Sequence, residues 1–281
     1  MIRLGMVGLA ALLTTATAAS AQTPIARGDY LVNGLLTCNN CHTPRGPGGV
    51  LDVSKQFSGG PQTFDEPTFT AKGANITSDP ETGIGKWSMD DIKHALRTGM
   101  RPNGAQLAPV MPYAFYKVFT PGDIDAVAAY IHSIPAVSNK VQPPVYKAAL
   151  HPESPPAADR PMAEADLNDP VKRGFYLATI AHCMECHTPV VNDHHDFQNL
   201  GKGGQEFKGP WGVVQSRNIT SDKEKGIGAL TDAEIKQAIT QGIRKDGTHL
   251  KGPMGFAMYA KMTPGDLDAI IAYLRTVPPK G

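Results

Sequence analysis

The sequence predicts an all-α chain made of two tandem copies of one unit, each with about three helices and long loops. Three observations carry this prediction. Long segments recur at a constant spacing, helix start and stop signals lie at matching places in both segments, and no run of residues alternates as a half-buried strand does. The length is compatible with it, because 281 residues suffice for two domains of ordinary size.

The repeat is clearest in three matched stretches. NITSDPETGIGKW, from Asn75, returns from Asn218 as NITSDKEKGIGAL, and DDIKHALRTGMRPNG, from Asp90, returns as AEIKQAITQGIRKDG. PVMPYAFYKVFTPGDIDAVAAYIHSIP, from Pro109, returns as GPMGFAMYAKMTPGDLDAIIAYLRTVP, and one offset of 143 residues aligns all three. We therefore predict a first domain at 22–135 and a second at 171–281. The segment between them, 136–170, is rich in proline, which favours an extended linker over the surface of both domains.

Helix signals recur at the same offset. Ser88 with Asp91 and Thr231 with Glu234 predict capping boxes for one helix of each copy, which should end at Gly99 and Gly242. The final helix of each copy should begin at the sequence Thr-Pro-Gly-Asp, in which threonine caps, proline takes the first turn and aspartate closes a second capping box. Those aspartates are Asp123 and Asp266.

The first 21 residues have the pattern of a cleavable signal peptide. Arg3 is followed by an apolar run over 4–13 and by the small residues Ala19, Ser20 and Ala21. We expect the protein to be exported to the periplasm, with no membrane span, because no later segment reaches 18 apolar residues. The net charge is +1, from 27 Lys and Arg and 26 Asp and Glu, so charge gives no reason to expect a nucleic acid partner.

All four cysteines lie in two Cys-x-x-Cys-His motifs. Structural zinc would need four ligands close together, and each copy offers two cysteines and one adjacent histidine. A redox disulfide normally lies at a strand-to-helix junction, which the sequence does not predict. Covalent haem attachment explains all five positions, since two thiols add to the haem vinyl groups and the next histidine reaches the iron. The predicted residues are Cys38, Cys41 and His42 for one haem c, and Cys183, Cys186 and His187 for the other.

A sixth iron ligand should recur in both copies, which excludes most candidates. His94, His132, Met89, Met100, Met258 and Met262 all align with a different residue type in the other copy. Met111 and Met254 align with each other, and they follow the motif histidines by 69 and 67 residues. We predict them as the axial ligands. His194-His195-Asp196 has no counterpart in the first copy, and we interpret it as a solvated loop rather than a metal site.

Taken together, these motifs resemble class I cytochrome c domains. Two in tandem behind a signal peptide are similar to dihaem cytochromes c and to the cytochrome c subunits of bacterial periplasmic dehydrogenases that act on alcohols, aldehydes or sugar acids. The chain departs from the three-haem subunits of that group, because it has two sites and no C-terminal anchoring segment. The family fold implies that Gly28 and Tyr30 pack near Tyr130, and Gly174 and Tyr176 near Tyr273. It also implies a place near haem propionates for Asn75 and Asn218, for which a role in forming a turn stays equally open.

The resemblance implies an electron carrier rather than an enzyme, with no catalytic residue. Single electrons would pass from a periplasmic dehydrogenase to another cytochrome or a terminal oxidase of a respiratory chain. The alternative is a dihaem oxidoreductase with one catalytic haem, similar to thiosulfate dehydrogenase or to a peroxidase. That alternative needs one iron with an open or differently ligated face, against which the two equivalent methionines argue.

Overall fold

A computed structural model describes residues 22–60, 62–209 and 211–281, so the predicted signal peptide lies outside the described residues. The two copies repeat the same helices in the same order. In the first copy the helices are α1 (Pro24–Tyr30), continued by a π-helical turn (Leu31–Leu35), α2 (Asn39–His42), α3 (Met89–Thr98), α4 (Tyr113–Tyr116) and α5 (Pro121–Ser133). In the second they are α6 (Pro170–Ile180), α7 (Cys183–His187), α8 (Asp232–Gln241), α9 (Phe256–Tyr259) and α10 (Pro264–Leu274). Short 3-10 turns occupy Pro47–Gly49, Val53–Lys55, Glu164–Asn168 and Phe197–Asn199.

The predicted capping boxes of α3 and α8 are confirmed. The amide of Asp91 donates to Ser88 Oγ at 3.1 Å, and the amide of Ser88 donates back to the Asp91 carboxylate at 2.8 Å. Thr231 and Glu234 make the same pair of bonds at 3.2 and 2.7 Å. Both helices end where a glycine takes a left-handed conformation that a side chain would disfavour, at Gly99 and Gly242.

The final helices begin as predicted, but their aspartates do not close capping boxes. Thr120 and Thr263 accept the expected bonds from the amides of Asp123 and Asp266, at 3.3 and 3.2 Å. The Asp123 carboxylate instead accepts two bonds from Arg27, each at 2.8 Å, because α1 crosses α5 there. A buried carboxylate beside a guanidinium gains more from this charged pair than from one backbone N–H.

The first and last helices of each copy cross at a glycine. A side chain on Gly28 would overlap the carbonyl of Ala126 and come within 2.6 Å of Tyr130 Cβ. Gly174 makes the same close approach to Ala269 and to Tyr273 Cβ, at 2.8 Å. The predicted packing of Gly28 on Tyr130 and of Gly174 on Tyr273 is therefore confirmed, whereas Phe175, rather than Tyr176, stacks edge-on against Tyr273.

The all-α prediction is wrong for the loops, which contain short antiparallel strands. They are β1 (Thr63–Asp65), β2 (Phe69–Lys72), β3 (Val145–Tyr146), β4 (Val190–Val191), β5 (His194–His195), β6 (Glu206–Gly209) and β7 (Gly212–Gln215). They form the sheet β1-β2-β3 and the hairpins β4-β5 and β6-β7. Strands of two to four residues are too short to show an alternating pattern, which is why the sequence did not predict them.

The linker contacts both copies. It supplies β3 to the sheet of the first copy, and Ser154 Oγ donates to the carbonyl of Ala114 at 2.9 Å. Glu153, beside it, accepts bonds from His194 and from the amide of His195 in the second copy, each at 2.8 Å. Within the described ranges, none of the helices combines the length and the apolar character that crossing a membrane requires.

Reciprocal hydrogen bonds join the two copies. Tyr30 of the first copy donates to the Asp266 carboxylate of the second at 2.6 Å, and Tyr176 of the second donates to Asp123 of the first at 2.7 Å. The hydroxyls of Tyr30 and Tyr176 therefore each reach the final helix of the opposite copy. Because both aspartates also bind an arginine of their own copy, the interface has approximate twofold symmetry.

Candidate functional site

Each cysteine motif forms a single helical turn at the end of the N-terminal helix of its copy. In the first copy, a buried polar network fixes the turn. Thr43 Oγ1 donates to Asn39 Oδ1 at 2.7 Å and accepts from the amide of Phe57 at 3.0 Å. In the second copy, a left-handed residue at His182 bends the chain directly into α7. Each turn brings two cysteines and a histidine together within five residues of chain.

Both motif histidines are oriented by a backbone carbonyl. His42 Nδ1 lies 2.7 Å from the carbonyl oxygen of Ala74, and His187 Nδ1 lies 2.6 Å from that of Arg217. A carbonyl oxygen can only accept, so Nδ1 carries the proton and Nε2 keeps a free lone pair. Burial, the largest effect on both rings, lowers the pKa of each imidazole and favours the neutral form. Each histidine is thus prepared to ligate a metal through Nε2.

The four thiols lie in apolar surroundings. Burial raises the pKa of all four thiols and is the largest cause at each. The pKa is raised to about 12 at Cys38, about 11 at Cys41 and about 12 at Cys183, and it is raised at Cys186 as well. Unmodified thiols at these positions would be neutral at pH 7. Thioethers carry no charge, so the same surroundings tolerate them without penalty.

Glycines leave room beside the first motif. A side chain on either Gly60 or Gly73 would overlap the carbonyl of Cys41. The amide of Gly59 donates to the carbonyl of His42 at 2.8 Å, and in the second copy the amide of Gly203 donates to that of His187 at 2.6 Å. In both copies, backbone at glycine residues therefore packs directly against the end of the cysteine motif.

Each methionine lies two residues before a short helix, Met111 before α4 and Met254 before α9, and both are partly buried against the main core. These two helices face the cysteine motifs. Burial raises the pKa of Tyr116, on α4, and the neighbouring sulfurs of Cys38 and Cys41 raise it further. The sulfurs of Cys183 and Cys186 act in the same way on Tyr259, on α9. Both helices also reach across the interface, since α4 contacts α6 and α9 contacts the π-helical turn of the first copy.

Two buried nitrogens have no hydrogen-bond partner within the described residues, Arg97 Nε and Trp211 Nε1. Trp211 lies in the turn between β6 and β7. Its ring packs on Gly252, two residues before Met254, and a Cβ atom on Gly252 would lie 2.9 Å from the ring. An unsatisfied indole N–H near this segment suits an acceptor-bearing group such as a haem propionate. Sequence reasoning missed Trp211, because Thr68 stands at the equivalent position of the first copy.

The repeated asparagines form turns rather than presenting free amides. Asn75 Oδ1 accepts from the amide of Thr77 at 3.0 Å, and Asn218 Oδ1 accepts from that of Thr220 at 2.9 Å. Their Nδ2 atoms donate to the carbonyls of Val137 and Lys280, at 2.8 and 2.5 Å. Of the two roles that the sequence left open, the structure favours the turn.

The two candidate sites lie close together across the interface. Asn40, inside the first motif, donates to the carbonyl of Pro253 beside Met254 at 3.2 Å. Cys41 is near enough to Cys186 to contribute to the raised pKa of its thiol. The first motif is therefore joined directly to the loop that carries Met254.

A groove of about 520 Å³ opens beside Met111. Its lining includes Pro109, Met111, Glu153, Glu185, His194 and His195. The predicted solvated loop at His194 is thus a short hairpin, held to the linker by Glu153. Among the described residues no group of three or more His, Cys, Asp or Glu side chains is arranged to hold a metal ion, here or elsewhere.

The family profile of cytochrome c matches residues 171–278, nearly the whole second copy. Over this segment the chain is similar to cytochrome c, and the matched residues include Cys183, Cys186, His187 and Met254. The relation of the first copy to the cytochrome c domain rests on the internal repeat and on the matching order of helices.

Similar proteins include cytochrome subunits of dehydrogenases. The chain is 33% identical to the fructose dehydrogenase cytochrome subunit of Gluconobacter japonicus over 95% of its length, and 29% identical to the gluconate 2-dehydrogenase cytochrome c subunit of Pantoea cypripedii over 90%. It spans only 55% and 59% of those two relatives. It is also 29% identical to a dihaem cytochrome c of Cereibacter sphaeroides, over 86% of this chain and 82% of that protein.

Proposed function

We propose that the chain is a dihaem cytochrome c that passes single electrons from a dehydrogenase to a downstream respiratory acceptor. One observation carries the proposal. The same arrangement occurs twice, with a Cys-x-x-Cys-His turn whose histidine donates Nδ1–H to a carbonyl and keeps Nε2 free. An arrangement duplicated in this way suits two haems of the same kind, one in each copy.

In this proposal, each copy would hold its haem through the four residues that the sequence singles out. Cys38 and Cys41, or Cys183 and Cys186, would supply the thioethers, and His42 or His187 would bind the iron through Nε2. Met111 and Met254 would each add a thioether sulfur as a further ligand. The haem would supply a one-electron couple, and the chain would orient it and exclude water from it.

The proposed donor is a periplasmic dehydrogenase, and the proposed acceptor is another cytochrome or a terminal oxidase. The support is the similarity to cytochrome subunits of fructose and gluconate dehydrogenases, together with the pattern of residues 1–21. The hydrogen bond from Asn40 in the first motif to Pro253 beside Met254 adds a reason to expect that electrons pass from one haem to the other inside one chain.

Covalent attachment provides the direct test. Protein denatured and washed in acidified organic solvent should keep two haems per chain. The double substitution Cys38→Ala and Cys41→Ala should reduce this to one, and Cys183→Ala with Cys186→Ala should leave the other. Release of both haems from the unmodified chain would contradict the proposal, and a count of one would restrict it to a single copy.

The groove beside Met111 is a specific reason to retain a second candidate function, that of a dihaem oxidoreductase. A dihaem oxidoreductase needs space for a substrate next to one iron, and about 520 Å³ of open volume lies beside the predicted ligand of the first copy. In that version Met111 would leave the iron during turnover. Ligand binding to the reduced protein separates this rival from the carrier.

A further inference from the structure

The groove beside Met111 has an equivalent region in the second copy, which is occupied differently. In the first copy the groove lies between the loop that carries Met111 and the tip of the hairpin β1-β2, since Pro109 and Thr68 both line it. The two hairpins have the same register, so the 143-residue offset places Trp211 at the position of Thr68 and Gly252 at that of Pro109. In the second copy the same two segments therefore meet around an indole ring.

Trp211 bridges the tip of the hairpin β6-β7 and the loop that carries Met254. Its ring lies between two glycines, because a Cβ atom would come within 2.5 Å of the ring on Gly209 and within 2.9 Å of it on Gly252. Nε1 is buried and has no hydrogen-bond partner in the part of the chain that the structure describes, so this edge of the ring is turned into the protein. The first copy has larger residues at both glycine positions, Glu66 and Pro109.

The first motif covers the same loop from another side. Asn40 donates to the carbonyl of Pro253 at 3.2 Å. The residue equivalent to Asn40 in the second motif is Glu185, which lines the open groove instead. The loop that carries Met254 is thus in contact with Trp211 and with Asn40, whereas the loop that carries Met111 borders about 520 Å³ of open space.

We propose that Trp211 closes the second site to small exogenous ligands, while Thr68 at the equivalent position leaves the first site open. A closely packed aromatic ring leaves few voids through which even a diatomic molecule can pass. Of the two copies, only the first could then host the reaction of a dihaem oxidoreductase, and the second would be confined to electron transfer. The inference rests on the two-haem assignment of the proposed function.

Access is measured in variants whose methionine no longer competes for the iron. Met111→Ala and Met254→Ala each vacate one coordination position, and the rebinding of carbon monoxide after flash photolysis of the reduced protein reports how easily that position is reached. We expect the concentration-dependent phase to be about tenfold or more faster at the first haem than at the second. Adding Trp211→Thr to Met254→Ala should remove most of this difference. Should Trp211→Thr fail to fold, Trp211→Leu gives the same test with a smaller acceleration.

Matched variants separate the bulk of the ring from its hydrogen bonding. Trp211→Phe keeps an aromatic ring between the two glycines and loses only the N–H donor. Combined with Met254→Ala, it should therefore leave rebinding at the second haem within about twofold of the rate without it. Thr68→Ala, combined with Met111→Ala, should leave rebinding at the first haem equally unchanged, because the groove there is already open.

Three results would overturn the proposal. If Trp211→Thr does not accelerate rebinding in a chain that carries two covalent haems, Trp211 does not control access, and the haem assignment still stands. An acceleration by Trp211→Phe as large as that by Trp211→Thr would assign the effect to the N–H donor rather than to the ring. A chain without two covalent haems would overturn both this inference and the function on which it rests, and the haem count alone identifies that case.

Discussion

Individual residues of the two candidate sites differ in how firmly they are constrained. The histidines are held by a carbonyl on one side and by burial, so their ligating nitrogen has little freedom. The methionines are held less firmly, since each lies in a loop at the start of a four-residue helix. Pro112 follows Met111, whereas the more adaptable Gly255 follows Met254. Substitutions at the methionines are therefore the most informative about ligation.

Met111→His should keep one haem low-spin and lower its reduction potential, because imidazole stabilises ferric iron better than a thioether does. Axial ligands set haem potentials over about 0.8 V, so we expect a shift on the order of 0.1 V or more. The same change at Met254 should act chiefly on the other haem. Spectrally resolved potentiometric titration measures both.

The control is Met100→Leu. Met100 aligns with Ile243 in the other copy, and both residues form the same backbone bridge, to Gln106 and to His249. A swap that conserves volume should cost at most about 1.5 kcal/mol of stability and leave both potentials in place. If Met258→Leu, rather than Met254→Leu, removes the sulfur-to-iron absorption band of one haem, the assignment in the second copy is wrong.

At the scale of elements, the sequence predicted the helices best where local chemistry fixes them. Ser88 with Asp91 and the glycine at 99 act within one turn of chain, so their pattern is readable without tertiary contacts. Asp123 was misassigned because its partners, Arg27 and Tyr176, lie 96 and 53 residues away. The strands and Trp211 were missed for a similar reason, since pairing across loops and packing on Gly252 leave no periodic signal.

The crossing of the first and last helices predicts the most sensitive small substitution. Gly28→Ala or Gly174→Ala would drive a methyl group into a backbone carbonyl of the opposing helix, which cannot move without displacing that helix. We expect either change to lower the free energy of unfolding by about 2–3 kcal/mol. Gly265→Ala, in the exposed first turn of α10 with no atom within 4 Å, should stay within about 0.5 kcal/mol. Urea unfolding of the haem-loaded protein followed by far-UV circular dichroism measures all three, and equal effects would contradict this account.

At the scale of the whole molecule, duplication has kept the two sites equivalent while making their surroundings different. The reciprocal bonds from Tyr30 to Asp266 and from Tyr176 to Asp123 are equivalent in the two copies. The linker contacts the copies differently, because it adds a strand to the first copy and borders the groove beside Met111. The groove borders Met111 of the first copy and Glu185 of the second motif, so a small molecule in it would meet Met111 among the predicted ligands.

Carbon monoxide therefore distinguishes a carrier from an enzyme in the unmodified protein. With Met111 and Met254 both ligating, the reduced protein has no vacant coordination position, and we expect slow, substoichiometric binding at neutral pH. Met111→Ala should open one coordination position and give fast binding at one haem per chain, which would verify that the groove admits carbon monoxide. Met254→Ala should open a position at the other haem. Binding there should be slower if the groove governs access. Stopped-flow Soret spectra report both rate and stoichiometry. Fast binding of one equivalent by the unmodified chain, left unchanged by Met111→Ala, would mean that Met111 never occupied the iron, and the dihaem oxidoreductase would then be the better account of this protein.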